Sequence, residues 1–242
     1  MLVEWLDRTL YPQYTNNWDD ESLRLLIVKN LRPSMSVLEI GAGAGRIKQM
    51  DFRGLAESVV GIDPDPRVAQ NPFLSAAVAG FADKLPFDDN SFDLVFADNV
   101  LEHLDNPEAV LNEIARVLKA GGRFLAKTPN KTHYMTLIAR VTPTSFHRFV
   151  NRLRGRAGID TFPTRYLINS RRDVQHYASR CGLAVERIQL LEGRPEYLRF
   201  SAITYLVGWL YERTVNSCSL FFPFRIVMLI ELRKRAPNSE PH

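Results

Sequence analysis

The sequence predicts an α/β protein built on a doubly wound, mostly parallel sheet, and three observations predict it. Short apolar runs alternate with helical segments from residue 35 to 130. The first run enters a turn with glycine at alternate positions, Gly41, Gly43 and Gly45. The second run, Val59-Val60-Gly61-Ile62, ends on an acid, Asp63. Alternation of this kind needs parallel strands joined by crossovers, and such sheets bind ligands at the carboxyl ends of their strands.

The elements follow in order. Helical spacing of Leu23, Leu26, Ile27 and Leu31 marks a first helix, with Asp19, Asp20 and Glu21 at the positive end of its dipole and Pro33 beyond its far end. Strands read at 37–40, 58–63, 73–79, 92–97 and 123–128, with helical segments between most of them, including 107–118. After Asn130 the alternation stops. Residues 131–168, polar and bearing arginines and prolines, read as an insertion, and a helix at 170–180 closes at Gly182. Residues 183–191 read as a sixth strand. A second insertion, 193–222, is rich in aromatics. The run 224–232, dense in β-formers and followed by charges, reads as the last strand.

Composition narrows the class. The 242 residues suffice for one large α/β domain with insertions, and one domain over 1–242, with its core at 35–130, is the expectation. A hydrophobic content of 45% and a charged content of 24% exclude general disorder and a disulfide scaffold. Cys181 and Cys218, far apart and without metal-ligand spacing, point to reduced thiols in a cytoplasmic compartment and to no metal site. The start, Met1-Leu2-Val3-Glu4-Trp5-Leu6-Asp7, lacks the basic region and long apolar core of a secretory signal. The net charge of +4 is modest, but cations cluster at Arg152, Arg154 and Arg156, at Arg165, Arg171 and Arg172, and at Arg233, Lys234 and Arg235. Each cluster is either a solvated face or a meeting place for phosphate.

The chemistry sits at the first turn. Glycines there let a ligand approach bare backbone. The third glycine of a dinucleotide fingerprint would fall on Arg46, and Glu39 would repel a pyrophosphate while suiting an ammonium or sulfonium group. Asp63 lies near the spacing that presents a carboxylate to ribose hydroxyls. Glu39, the three glycines and Asp63 together point to a nucleoside cofactor carrying positive charge.

With these residues in place, the sequence resembles the class I S-adenosylmethionine-dependent methyltransferases, in their type 11 small-molecule branch. The likeness covers residues 35–130 and rests on ordered pieces: Leu38-Glu39-Ile40-Gly41-Ala42-Gly43-Ala44-Gly45, Gly61-Ile62-Asp63 and Leu85-Pro86-Phe87-Asp88-Asp89-Asn90-Ser91-Phe92-Asp93. After these come Asn99-Val100-Leu101-Glu102-His103-Leu104 and Glu113-Ile114-Ala115-Arg116-Val117-Leu118-Lys119-Ala120-Gly121-Gly122. The resemblance implies a Rossmann-like seven-stranded sheet with an antiparallel last strand, and S-adenosyl-L-methionine as cofactor. It also implies roles. Gly41, Ala42, Gly43 and Gly45 would lie beside the methionine half, Glu39 near its ammonium, and Asp63 on the ribose. Pro64 would lie against the adenine; Phe81 stands where many relatives place an acid for the adenine amino group, so the ring would be gripped by packing on Phe81 and backbone contacts at Ala82, or by Asp83 as a substitute acid. Asp98 and Asn99 would border the transferable methyl.

Methyl transfer from a sulfonium is an in-line displacement with a neutral leaving group, so it requires alignment more than acid catalysis. A base is needed only for a hydroxyl or protonated amine acceptor, and His103, His133 or His147 could serve. Asn130, His133 and Tyr134 follow the fifth strand and face the same rim. The acceptor is expected to be a small molecule or a lipid-linked one, held by the N-terminal Tyr11, Tyr14 and Trp18 region and by the two insertions. The first uncharged run of the 193–222 insertion, residues 200–211, falls well short of the ~20 residues needed to span a bilayer. It reads as a lid, a homodimer contact or a membrane-surface helix, which leaves a cytoplasmic or inner-face peripheral location open. Two rival functions stay in view, a nucleic-acid methyltransferase using the arginine clusters and a non-catalytic cofactor-binding regulator. Against the first stands the absence of an Asn/Asp-Pro-Pro-Tyr/Phe motif.

Overall fold

The computed structural model describes residues 2–14, 17–141 and 163–235. His147 and the cluster Arg152, Arg154 and Arg156 lie outside the described residues. The chain divides into two compact units. The first takes Met1–Trp18, Pro129–Pro163 and Leu190–Met228, and the second takes Asp19–Thr128, Thr164–Gln189 and Leu229–His242.

The second unit is organised by the sheet. Its strands are β1 (Ser36–Ile40), β2 (Ser58–Asp63), β3 (Ala76–Ala79), β4 (Phe92–Asp98), β5 (Leu118–Pro129), β6 (Leu183–Leu191) and β7 (Val227–Lys234). They run in the order β3-β2-β1-β4-β5-β7-β6, parallel from β3 to β5, with β5, β7 and β6 antiparallel. This is the seven-stranded, mostly parallel arrangement the sequence predicted. Central strands are apolar on both faces because both are covered: Val37, Leu38, Ile40, Leu94, Val95, Phe96 and Ala97 are all buried. Register then fixes the site. Val37 pairs with Val59 and Leu94, Ile40 with Ile62 and Ala97, and Asp98 with Lys127, so Glu39, Asp63, Asp98 and Lys127 all lie at or near the carboxyl ends of β1, β2, β4 and β5.

The crossovers depart from expectation. Only one of those linking β1 to β5 holds an α-helix, α3 (Pro107–Val117), capped by the Asn106 side chain and opened by Pro107. Between β1 and β2 stands a single 3-10 turn, Lys48–Met50, and between β2 and β3 another, Pro66–Gln70. The first is short because Gly54 adopts a left-handed φ of +77° and because Met50 and Phe52 turn straight into the core. Arg24 of α2 (Trp18–Asn30) closes it, donating to the Gln49 carbonyl at 2.6 Å and the Asp51 carbonyl at 2.8 Å. Strand β3 starts at Ala76 instead of residue 73, since Asn71 and Pro72 shape the approach to it. The helix at 170–180 is capped by Ser170.

The first unit holds α1 (Leu2–Leu10), which the sequence reading missed, α4 (Tyr134–Val141) and α6 (Ala202–Ser217); α5 (Arg171–Arg180) belongs to the second. Leu6, Tyr11 and Tyr205 form its buried apolar cluster, with Val3, Leu10, Tyr14, Ala202 and Trp209 packed around it. No helix among the described residues is long and apolar enough to cross a membrane.

Candidate functional site

The glycine turn after β1 is built for a ligand. Gly41, Gly43 and Gly45 all take left-handed φ angles, +75°, +49° and +70°, where an L side chain is strained. The Gly41 amide donates to the Ile62 carbonyl at 2.8 Å, anchoring the turn to β2. A Cβ on Gly41 would stand 2.3 Å from Val100 Cγ2, and one on Gly45 would stand 2.4 Å from Asn71 Oδ1. Gly43 differs. A Cβ there would meet nothing within 4 Å, so its bare backbone faces open space.

Two side chains hold the turn in this shape. Asp63, buried at the end of β2, accepts the Gly43 amide at 2.9 Å through Oδ2 and the Asp65 amide at 2.8 Å through Oδ1. Asn71 donates from Nδ2 to the Ala42 carbonyl at 2.8 Å and the Gly43 carbonyl at 3.3 Å. Sequence reasoning did not single out Asn71; its signal was the Asn-Pro dipeptide, which says turn and not which loop it ties. Each Asp63 oxygen keeps a second lone pair for a hydroxyl. Next to Asp63, the Gly80 amide donates to its carbonyl at 3.0 Å, which sets Phe81 and Ala82 beside β2. Phe81 is 68% exposed and Pro64 is exposed too, leaving both free to flank a flat ring.

Beneath the turn lies an excess of negative charge. Glu39 is buried, its Oε2 has no hydrogen-bond partner, and burial, then Asp98, then Asp63 push its pKa well above the ordinary carboxylate value. Asp98 meets Lys127 Nζ at 2.9 Å with no aligned hydrogen bond on either oxygen. Lys127, buried at the end of β5, also donates to Asp19 at 2.9 Å and to Asp20, both from α2. Burial lowers the lysine pKa, but Asp98, Asp19 and Asp20 outweigh it and the net shift is upward. One cation therefore serves three carboxylates. The surplus shows in Asp98, which burial pushes up to about 7 against the pull of Lys127.

Beside this cluster, Glu102 is buried, accepts the Thr128 hydroxyl at 2.8 Å and is also pushed by burial up to about 7. Asn169 in turn donates to Thr128 at 2.7 Å. His103 Nε2 stands 4.0 Å from Glu102, on the 3-10 turn Leu101–His103, partly exposed. Asn99 is exposed and held at a φ of +52° by its amide bond to the Lys127 carbonyl at 2.9 Å. The second unit thus brings together Glu39, Gly41, Ala42, Gly43, Gly45, Asp63, Pro64, Phe81, Ala82, Asp98, Asn99 and His103.

Asn130 and His133 belong to the first unit. The Asn130 amide donates to the Pro223 and Arg225 carbonyls at 2.7 and 2.8 Å, and its oxygen accepts from the Thr132 amide and hydroxyl at 3.3 and 3.0 Å. Both of its amide hydrogens are committed to these carbonyls, which ties Asn130 to the segment before β7. His133 is buried, its Nδ1 accepts the Met135 amide at 3.1 Å, and its Nε2 stands 3.4 Å from Glu192 without an aligned hydrogen bond.

Comparison with known proteins fits this geometry. A family model described as methyltransferase domain matches residues 38–126, from β1 through β5. Over residues 38–126 the chain is therefore similar to a methyltransferase domain. The cofactor of that family is S-adenosyl-L-methionine. Over 150 residues the chain is 32% identical to sterol 4-C-methyltransferase strm-1 of Caenorhabditis elegans, covering 52% of this chain and 45% of that protein. Among solved structures, YcgJ of Bacillus subtilis superposes with a TM-score of 0.57 at 24% identity, over 89% of this chain and 99% of that one. The geranyl diphosphate C-methyltransferase of Streptomyces coelicolor, solved with S-adenosyl-L-homocysteine, superposes with a TM-score of 0.57 at 15% identity, over 89% and 78%. Both structural likenesses are at the level of the fold. The chain spans half or less of the length of the curated relatives it matches.

Proposed function

We propose that this protein transfers a methyl group from S-adenosyl-L-methionine to a small or lipid-linked acceptor. The observation that carries the reading is the open space over Gly43 above a buried surplus of carboxylates, Glu39 and Asp98. Space beside bare backbone admits a ligand, and unpaired buried acid favours one that brings positive charge. When bound, S-adenosyl-L-methionine supplies a methyl group activated on sulfur.

The chain's own residues then have distinct tasks. Gly41, Gly43 and Gly45 keep the backbone clear, while Asp63 and Asn71 hold that backbone in its left-handed shape. Asp63 offers its remaining lone pairs to a ribose diol, and Phe81 and Pro64 flank the base. Glu39 and Asp98 face the ammonium and the reacting end. Asn99 borders the acceptor. His103, backed by Glu102, is the side chain suited to take a proton from a hydroxyl or amine acceptor; a carbon acceptor would place other demands on the site.

Acceptor class is read from the curated relatives, several of which are named for sterols, largely apolar molecules. An apolar acceptor is met at a membrane, and a cytoplasmic protein held peripherally on its inner face would reach it. The test is a labelled-methyl assay on cell extract split into aqueous and lipid fractions. Label appearing in the organic phase supports the reading; label confined to nucleic acid, or none at all with the cofactor bound, defeats it.

A further inference from the structure

The helix α6 is apolar on two sides. Its inner side carries Tyr205, Gly208, Glu212 and Val215, all buried. Gly208 lies so close to Pro195 that a Cβ would come within 2.5 Å of the proline ring, and Tyr205 donates to Asp7 of α1 at 2.8 Å. Glu212 accepts the Tyr11 hydroxyl at 2.9 Å and the Asn216 amide at 2.6 Å. These buried polar bonds are directional, so they fix which way the helix is turned. A capping box between Ser201 and Thr204 fixes its start.

The outer side is therefore held in water, and it is apolar as well. Ile203 is 77% exposed, Leu206 47%, Val207 60% and Leu210 62%, at helical spacing along one stripe. From residue 201 to 224 the sole acid is the buried Glu212, while Arg213 follows the stripe on the exposed side. Exposed Leu220 and Phe224 lie just beyond, and α1, packed against α6, adds exposed Leu2 and Trp5. A soluble helix turns such a stripe inward unless something covers it.

Charge identifies the cover. Among the described residues the first unit carries seven Lys and Arg against five Asp and Glu, and the second carries twenty against twenty. The positive excess of the described residues thus lies in the unit that bears the stripe. A bare apolar stripe without exposed acid, within a cationic unit, matches a surface that is greasy and negative. We propose that the outward face of α6 docks on the surface of an anionic lipid bilayer, lying in the interface without crossing it. At 16 residues the helix is too short to span. Docking of this kind deepens the lipid-linked acceptor reading, yet it is measured without methyl transfer, so the two fail separately.

The experiment is co-sedimentation of the full chain with vesicles of phosphatidylcholine alone and of phosphatidylcholine with about one-third phosphatidylglycerol, at low and high salt. The variant is Val207→Glu with Leu210→Glu, both exposed, whose folding is checked by thermal melting and whose S-adenosyl-L-homocysteine affinity is checked by titration. We expect the wild-type chain to pellet with the anionic vesicles and much less with the neutral ones. The double variant should lose roughly tenfold or more in partitioning while melting and binding cofactor as before. Absence of vesicle binding, or equal binding by the variant, overturns the assignment. So does a concentration-dependent dimer that the same variant disperses, since the stripe would then belong to a second copy of this chain.

Discussion

The Asp63 carboxylate accepts the amide hydrogen of Gly43 at 2.9 Å across twenty positions of chain. One side chain thus shapes the turn over which the ligand would lie and offers it a contact. Asp63→Ala should weaken S-adenosyl-L-homocysteine affinity by about 1–3 kcal/mol, or roughly 5- to 150-fold in Kd, because a hydrogen-bonding charged group is lost. Isothermal titration reads this directly, and an unchanged Kd would remove Asp63 from the cofactor contact.

The three glycines separate by what stands over them. Gly41→Ala drives a methyl into Val100 and strains a left-handed backbone, so it should lower Tm through a cost above the ~1–2 kcal/mol of the backbone alone. Gly43→Val meets no protein atom, and its added bulk should abolish cofactor binding while costing less stability than the same change at Gly41. Equal affinity for Gly43→Val and wild type would show that the ligand lies elsewhere.

Lys127 meets all three of Asp19, Asp20 and Asp98. Lys127→Met would leave buried carboxylates uncompensated and should destabilise by about 3–5 kcal/mol, visible as a fall in urea midpoint at neutral pH. Part of that loss should return at pH 5, where Asp98, already raised by burial and now without the lysine that lowers it, takes a proton.

Ligand-free stability should fall as pH rises toward and through 7. Asp98 and Glu102 are raised to about 7, so between the ordinary carboxylate range and that value the folded chain binds more protons than the unfolded one. The slope of unfolding free energy with pH is then negative across the window. Asp98→Asn should flatten it. Binding of a cationic ligand favours the ionised acids, so cofactor affinity should rise over the same interval and titration should release protons in a buffer-dependent way. A pH-independent Kd between 5 and 8 would contradict the charge-surplus picture.

Much of this was legible in the chain. Apolar runs bounded by turn residues located all seven strands, and residues 183–191 were placed to the residue, because a strand's alternation is a local signal. The glycine turn, Glu39 and Asp63 were legible because a backbone that must avoid Cβ atoms writes glycine into the sequence. Crossover helices were over-predicted: Met50 and Phe52 are apolar at a spacing open to helix or turn, and Gly54 together with the Arg24 clamp decided for the turn. The Lys127 cluster was invisible because Asp19 and Asp20 lie more than a hundred positions away and read only as helix-start acids. The surroundings of Asn130 and His133 were illegible for the same reason. Their partners, Pro223, Arg225 and Glu192, come from a remote stretch that no local pattern connects to them.

The most direct measurement is calorimetric titration of the purified, folded chain with S-adenosyl-L-methionine and S-adenosyl-L-homocysteine. Saturable binding of one equivalent, weakened by Asp63→Ala and abolished by Gly43→Val, is the predicted result. A folded sample that takes up neither compound at millimolar concentration would contradict the assignment of the site.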